Sequence, residues 1–356
     1  MSNQELDAAR AREFAGHFLG LMNGAAIAQL TSIGHQTGLL DTLGRLKPST
    51  SVQIARAAGL NERYVREWLN GMVVGRIVEY AARTGRYSLP AEHAACLTRA
   101  AGLKNMATMS LFFPMLGTVE PRVIKSFRQG GGVPYSAYRG FQKLMAERSA
   151  QRQDHLLLSK TLPAVGIVDR LKRGIEVADI GCGSGHAINL MAAAFPNSRF
   201  TGYDFAADGI RAARAESRRL KARNTRFEVM DTAQLPDGRR FDFVTAFDAI
   251  HDQAEPRRVL ANISRLLRDG GLFLMVDTAG TSRVENDMDD PLAIFKYTVS
   301  VMHCMTVSLA LGGEGLGTMW GKEKALELLK EAGFGKVAVQ QIEGDVLNSY
   351  YIARKK

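Results

Sequence analysis

The chain has 356 residues, 46% of them apolar and 23% charged, with a formal net charge of +10. That length favours two domains around sizeable cores, and the composition excludes a disordered or fibrous chain. Cys96, Cys182 and Cys304 are odd in number and far apart, which excludes a disulfide framework.

The positive charge would suit an anionic partner, but the basic residues are spread over many segments, densest between residues 211 and 226. A nucleic-acid substrate is therefore not expected. Residues 1–12 are polar and lack the apolar stretch of a signal peptide. Residues 103–119 are apolar but broken by Lys104, Asn105, Pro114 and Gly117. A cytoplasmic protein without membrane contact is expected.

In chain order, residues 13–46 carry Phe14, Phe18, Leu21, Ile27, Leu30 and Ile33 at helical spacing. Such a helix is apolar on most sides and predicts burial against a second copy, hence a homodimer built through the first hundred or so residues. Ser49-Thr50-Ser51 supplies a helix cap, and Asn61 opens a second helix through Val65, Trp68, Leu69 and Met72. A hairpin turn at Arg83-Thr84-Gly85 follows, completing a winged-helix pattern over residues 1–100. One use of the module is DNA binding through Arg63 and Arg66. Packing and dimerisation is the other, and it is favoured because Trp68 and Leu69 claim burial on a helix with few cations.

Residues 101–170 read as a helical linker and lid region. Gly130-Gly131-Gly132 is the clearest loop, either a cover over a site or a plain surface connection. A helix over residues 141–162 is predicted to end at Pro163.

Residues 171–356 alternate strand and helix patterns, which argues for a parallel α/β sheet with ligands at the carboxyl ends of its strands. The first strand ends in Asp179-Ile180-Gly181-Cys182-Gly183-Ser184-Gly185-His186. A dinucleotide fingerprint would need glycine at 186, where histidine stands. Asp204 lies about twenty residues on, placed to accept from a ribose diol, with Phe205 to pack on the base. Asp231 and Thr232 follow the next strand, placed to meet the adenine edge. Phe247 and Asp248 close the fourth strand, ahead of His251-Asp252-Gln253, and Asp277 ends the fifth. Acids recurring at strand ends mark a site, with Asp179, Gly181, Gly183, Gly185, Asp204, Phe205, Asp231, Thr232, Phe247 and Asp248 as its cofactor-binding residues. An apolar helix over residues 292–311 and the glycine-rich loop after it would wall an acceptor pocket. Its candidates are Tyr138, Phe141, Tyr297, Met302, His303, Met319, Trp320 and Asn348. Adjacent His303 and Cys304 diverge on a helix and lack partners at ligand spacing, so no metal is expected.

The order Asp-x-Gly-x-Gly-x-Gly, then acids after strands two and three and a polar loop after strand four, resembles class I methyltransferases dependent on S-adenosylmethionine. The likeness runs from about residue 174 to the end. Ile250-His251-Asp252 is similar to the His-Asp pair of plant and bacterial small-molecule O-methyltransferases, which also carry an N-terminal winged-helix dimerisation domain. A further likeness is to a bacterial, notably mycobacterial, branch with Phe-Asp-Ala-Ile-His-Asp-Gln and a His-Cys-Met segment. The resemblance implies a Rossmann-like seven-stranded domain behind a mostly helical winged-helix domain. It also implies S-adenosylmethionine as cofactor, S-adenosylhomocysteine as product, a small-molecule acceptor, and His251 as general base with Asp252 beside it. Gln253 stands where Trp commonly follows the pair. Methylation at carbon or nitrogen stays open, as does a cofactor-responsive DNA-binding regulator. The Asp248-Ala249-Ile250-His251 segment does not match the [DNS]-P-P-[YFW] motif of amino-methylating nucleic-acid enzymes.

Overall fold

The structure, a computed structural model, describes residues 6–236 and 238–355. It divides into two compact units, Met1–Pro114 and Met115–Lys356, a boundary inside the expected linker region.

The first unit opens with a 29-residue helix, Ala8–Gln36, whose cap Asp7 accepts from the Ala9 and Arg10 amides. Leu39–Arg45 follows, and then the two helices of the predicted turn, Ser51–Ala58 and Glu62–Val74. Thr50 and Gln53 close a capping box on the first, and Asn61 caps the second. The wing is β1 (Glu79–Ala81) paired antiparallel with β2 (Arg86–Ser88). Leu40, Ile54, Val65, Trp68, Leu69 and Met72 form the core. Trp68 donates its indole N–H to the Leu30 carbonyl at 2.8 Å. A Cβ at Gly34 would lie 2.4 Å from the Trp68 ring, so only glycine admits that approach. Arg63 and Arg66 pair with Glu67 and Glu62 on their own helix. The first helix leaves Phe14 64%, Leu19 62% and Leu21 51% exposed within this unit.

The second unit holds one seven-stranded sheet. Its strands are β3 (Glu176–Ile180), β4 (Arg199–Asp204), β5 (Thr225–Val229), β6 (Phe241–Phe247), β7 (Leu267–Thr278), β8 (Lys336–Gln340) and β9 (Asn348–Arg354). The spatial order is β5-β4-β3-β6-β7-β9-β8, and β9 runs against the direction shared by the other six strands. Successive residues of β6 go to opposite faces, Val244 and Ala246 into one apolar cluster and Phe243 into the other. Burial on both faces is why these strands read as nearly continuous apolar runs.

Two helices differ from expectation. Phe141–Leu156 does not stop at Pro163; it widens into a π turn over Leu157–Thr161 and continues as Leu162–Val165. Proline has no N–H to bond a carbonyl of the preceding turn, and the helical ladder changes register at the π turn just before it. A second π turn, Ser300–Cys304, joins Ala293–Val299 to Met305–Ala310. The whole segment Ala293–Ala310 is long and apolar enough to cross a membrane, and 44% of it is buried within the protein.

Candidate functional site

The strand order reverses between β3 and β6, and that reversal opens a crevice at their carboxyl ends. A cleft of about 900 Å³, counting its open mouth and the solvent in it, lies there.

One wall is backbone. Gly181, Gly183 and Gly185 all take left-handed φ values, at 71°, 53° and 70°. The Gly181 and Cys182 amides donate to the Tyr203 carbonyl, which ties the turn to β4. A Cβ on Gly183 would meet only Gln142 Oε1, at 3.8 Å, so here bare backbone faces the cleft. Gly185 stands outside the lining, and a Cβ there would strike Ala213 and Phe227 at 2.6 Å. It is a packing glycine at the head of the helix His186–Ala194.

The acids have distinct tasks. Asp179 lines the cleft, is 3% exposed and accepts from Thr245 Oγ1 at 2.7 Å, which couples β3 to β6. Burial pushes its carboxyl up to about 7, against the opposing Thr245 bond. Asp204 uses both oxygens on backbone, taking the Gly183 and Ala206 amides at 2.8 Å each. Its carboxyl is raised by burial, with those two amides opposing. Phe205 is half exposed at the mouth, edge-on to Tyr135 at 5.2 Å. Asp231 is exposed and outside the lining, because it caps the short turn Thr232–Gln234 through the Ala233 amide and takes the Gln234 side chain. Thr232 does line the cleft and donates to Gln253 Oε1 at 3.1 Å, so Gln253 braces the loops after β5 and β6. Asp248, at φ 50°, pairs with Arg152 at 2.7 Å, and the guanidinium stands 6.0 Å above the Phe247 ring.

The opposite wall is built over long sequence distances. His251 is 4% exposed, and its Nδ1 lies 2.7 Å from Asp277 Oδ1. Asp277 also takes the Trp320 indole N–H at 3.2 Å and the Thr278 amide at 2.8 Å. The carboxylate that orients the imidazole is therefore Asp277. Asp252 lies against the other nitrogen, with Oδ1 3.3 Å from Nε2, and it lines the cleft whereas His251 stands behind it. Burial alone would lower the His251 pKa, but Asp277 and Asp252 outweigh it and raise it.

The cover comes from residues 129–156. The glycine loop is tethered: a Cβ on Gly132 would lie 1.9 Å from the Thr306 carbonyl, and the Val133 amide donates to both Thr306 oxygens. Tyr135 and Phe141 line the cleft. His303, fully buried on the π turn, stacks on Phe141 at 3.8 Å, and burial lowers its pKa to about 4.

Of the expected acceptor residues, Phe141 lines the cleft and the others stand outside its lining. Tyr138 donates to the Met302 carbonyl, which anchors the loop, and His303 is walled off behind Phe141. Tyr297 bonds Asp287, Trp320 bonds Asp277, Asn348 bonds Asp345, and Met319 is buried beside Gly280. Sequence reasoning missed Gln142, Met145, Ser149 and Gln153 in the lining, all on Phe141–Leu156. A helix stripe of that kind looks like ordinary packing until its neighbour is known. It also missed Arg152 and the Asp277 partnership. For the latter a signal existed, since Asp277 closes β7 and His251 lies in the loop after the adjacent strand β6.

Comparison with known proteins agrees with this architecture. Residues 25–99 match the family of Rv2258c-like winged HTH domains, and residues 171–333 match a methyltransferase domain family. A fatty-acid O-methyltransferase of Mycolicibacterium smegmatis is 32% identical over 105 residues, 29% of this chain and 37% of that protein, so the chain spans little more than a third of it. Among solved structures, an O-methyltransferase candidate from Nostoc punctiforme aligns over 96% of this chain and 98% of its own, with a TM-score of 0.72 and 18% identity. Human N-acetylserotonin methyltransferase, solved in complex with S-adenosylmethionine, aligns over 100% and 99% with a TM-score of 0.68 and 16% identity.

Proposed function

We infer, for a chain whose residues 171–333 match a methyltransferase domain family and whose residues 25–99 match the Rv2258c-like winged HTH domains, that it transfers a methyl group from S-adenosylmethionine to the oxygen of a small-molecule acceptor. The observation that carries the reading is the His251–Asp277 pair standing behind the far wall of a cleft whose near wall is the bare glycine turn. The cleft suits the cofactor: Gly183 presents backbone where a side chain would intrude, Phe205 and Phe247 offer ring faces, and Asp204 lies at the β4 end beside the turn.

S-adenosylmethionine supplies a methyl group on a positively charged sulfur, already activated for displacement. The chain's share is alignment, exclusion of water and removal of a proton. Tyr135, Phe141 and Met145 cover the cleft, and Asp252 faces the acceptor side. In its neutral form His251 takes the hydroxyl proton at Nε2 as the oxygen attacks, and Asp277 at Nδ1 steadies the imidazolium that results.

The first helix supports a further part of the reading. Its exposed Phe14, Phe18, Leu19, Leu21 and Met22 form a surface for a second copy, making a homodimer through the N-terminal unit. The Arg63 and Arg66 pairings with glutamates favour this packing role over DNA contact.

The test is formation of S-adenosylhomocysteine with a panel of phenols and hydroxylated aromatic acids. Product with at least one hydroxyl acceptor is expected. Tight cofactor binding with methyl transfer to carbon or nitrogen acceptors alone would overturn the oxygen assignment.

A further inference from the structure

Behind the Asp252 wall, three unlike ligand groups converge. His251, Asp252 and Cys304 each offer one ligand atom, and those atoms lie within 4.8 Å of one another. His251 and Cys304 are 4% and 5% exposed. The imidazole is fixed in orientation because Nδ1 is held by Asp277 at 2.7 Å, which leaves Nε2 for the trio. Asp252 Oδ1 is buried and makes no hydrogen bond among the described residues; its 3.3 Å approach to Nε2 has ion-pair distance without hydrogen-bond geometry. Leaving a buried carboxylate oxygen unbonded is costly, so an unbonded one beside a thiol and an imidazole calls for a partner. Cys304 sits in the π turn Ser300–Cys304, a local widening that recurs at functional sites.

We propose that His251 Nε2, Asp252 Oδ1 and Cys304 Sγ bind a thiophilic divalent cation, with Zn²⁺ the best fit. One imidazole, one carboxylate and one thiol suit a tetrahedral borderline-soft ion and disfavour Mg²⁺ or Ca²⁺, which take oxygen ligands. Asp277 on the far nitrogen supplies the carboxylate–histidine–metal arrangement that fixes a ligand's tautomer. On binding, Cys304 gives its thiol proton to solvent and the sulfur lone pair to the ion; nothing is oxidised. Three protein ligands leave a fourth position for water. Asp252 and Cys304 are 52 positions apart in the chain, so no ligand spacing announces the trio. A cation on Nε2 also takes the lone pair needed for proton removal. The metal-loaded protein is therefore the silent form, a consequence that rests on the reading of His251 as base.

The experiment is titration of the chelator-dialysed full chain with Co²⁺. One equivalent per chain should bind with a thiolate-to-cobalt charge-transfer band, and Zn²⁺ but not Mg²⁺ should displace it. Cys304→Ser should lose the band while keeping its circular dichroism. His251→Ala should lose binding as well, and it carries the test should Cys304→Ser fail to fold. Asp277→Asn should weaken binding by about 10–100-fold, the usual effect of losing an outer carboxylate. No band in the wild-type protein, or a band that survives in Cys304→Ser, overturns the site. In a second arm, Zn²⁺ should halt methyl transfer and chelator should restore it. Tight Zn²⁺ binding with undiminished turnover would leave the site standing and overturn His251 as the base.

Discussion

The two walls of the cleft are made by opposite means. The glycine wall comes from one contiguous stretch, Asp179 to His186, and works through backbone: left-handed turns, amides bonded to the next strand, and a missing Cβ where a ligand must approach. The histidine wall gathers His251, Asp277, Cys304 and Trp320, which are scattered along about seventy residues and meet only in the fold. The first wall is suited to holding a constant partner and the second to chemistry on a variable one. Substitutions on the glycine wall should change cofactor affinity, and substitutions on the histidine wall should change turnover.

The largest effect is expected on the histidine wall. His251→Ala should lower turnover on a hydroxyl acceptor by about 10²- to 10⁴-fold, the range of general-base catalysis. Calorimetric affinity for S-adenosylhomocysteine should stay within about twofold, because the imidazole stands behind Asp252 on the acceptor side. Weakened cofactor binding with intact turnover would break the division of labour.

The next effect lies where the walls join, at Asp179 between β3 and β6. Its folded pKa near 7 stands above the ordinary 3.8. The stability this contributes is full below about pH 4 and is lost as pH rises through 7, because the folded protein holds the proton more tightly than the unfolded chain. Asp179→Asn keeps an acceptor for Thr245 without the charge. It should unfold less readily than wild type at pH 8, by up to roughly 4 kcal/mol for a rise of about three pH units at 1.4 kcal/mol per unit, with the gap closing by pH 4. Denaturant melts at the two pH values check the sign.

The smallest effect belongs to the glycine wall. Asp204→Ala removes the acceptor for the Gly183 and Ala206 amides. Cofactor affinity should fall by about 1–3 kcal/mol, the scale of hydrogen bonds to a charged group, with turnover at saturating cofactor little changed. An unaltered calorimetric affinity would remove Asp204 from the binding wall.

What was legible in the sequence follows the same division. The strands, the winged helix and the glycine turn are written locally, in apolar runs, caps and glycine spacing, and the structure forms them at or near the expected positions. Gly185 and Asp231 fit the local pattern, yet Gly185 serves packing and Asp231 caps a turn, because a spacing rule cannot tell which way a residue faces. The orienting partner of His251 went unassigned because sequence adjacency favoured Asp252, whereas strand adjacency in the sheet selects Asp277. Most of the acceptor candidates stand outside the cleft lining. Tyr297, Trp320 and Asn348 are polar aromatics or amides near the right elements, but each spends its polar group on a buried aspartate.

The most direct measurement is a crystal structure of the full chain with S-adenosylhomocysteine. The account predicts the ligand in the cleft with its ribose beside Asp204 and the Gly181–Gly183 turn, and its sulfur turned toward Asp252 and His251. A ligand bound elsewhere, or one whose sulfur points away from the His251–Asp277 pair, would contradict it.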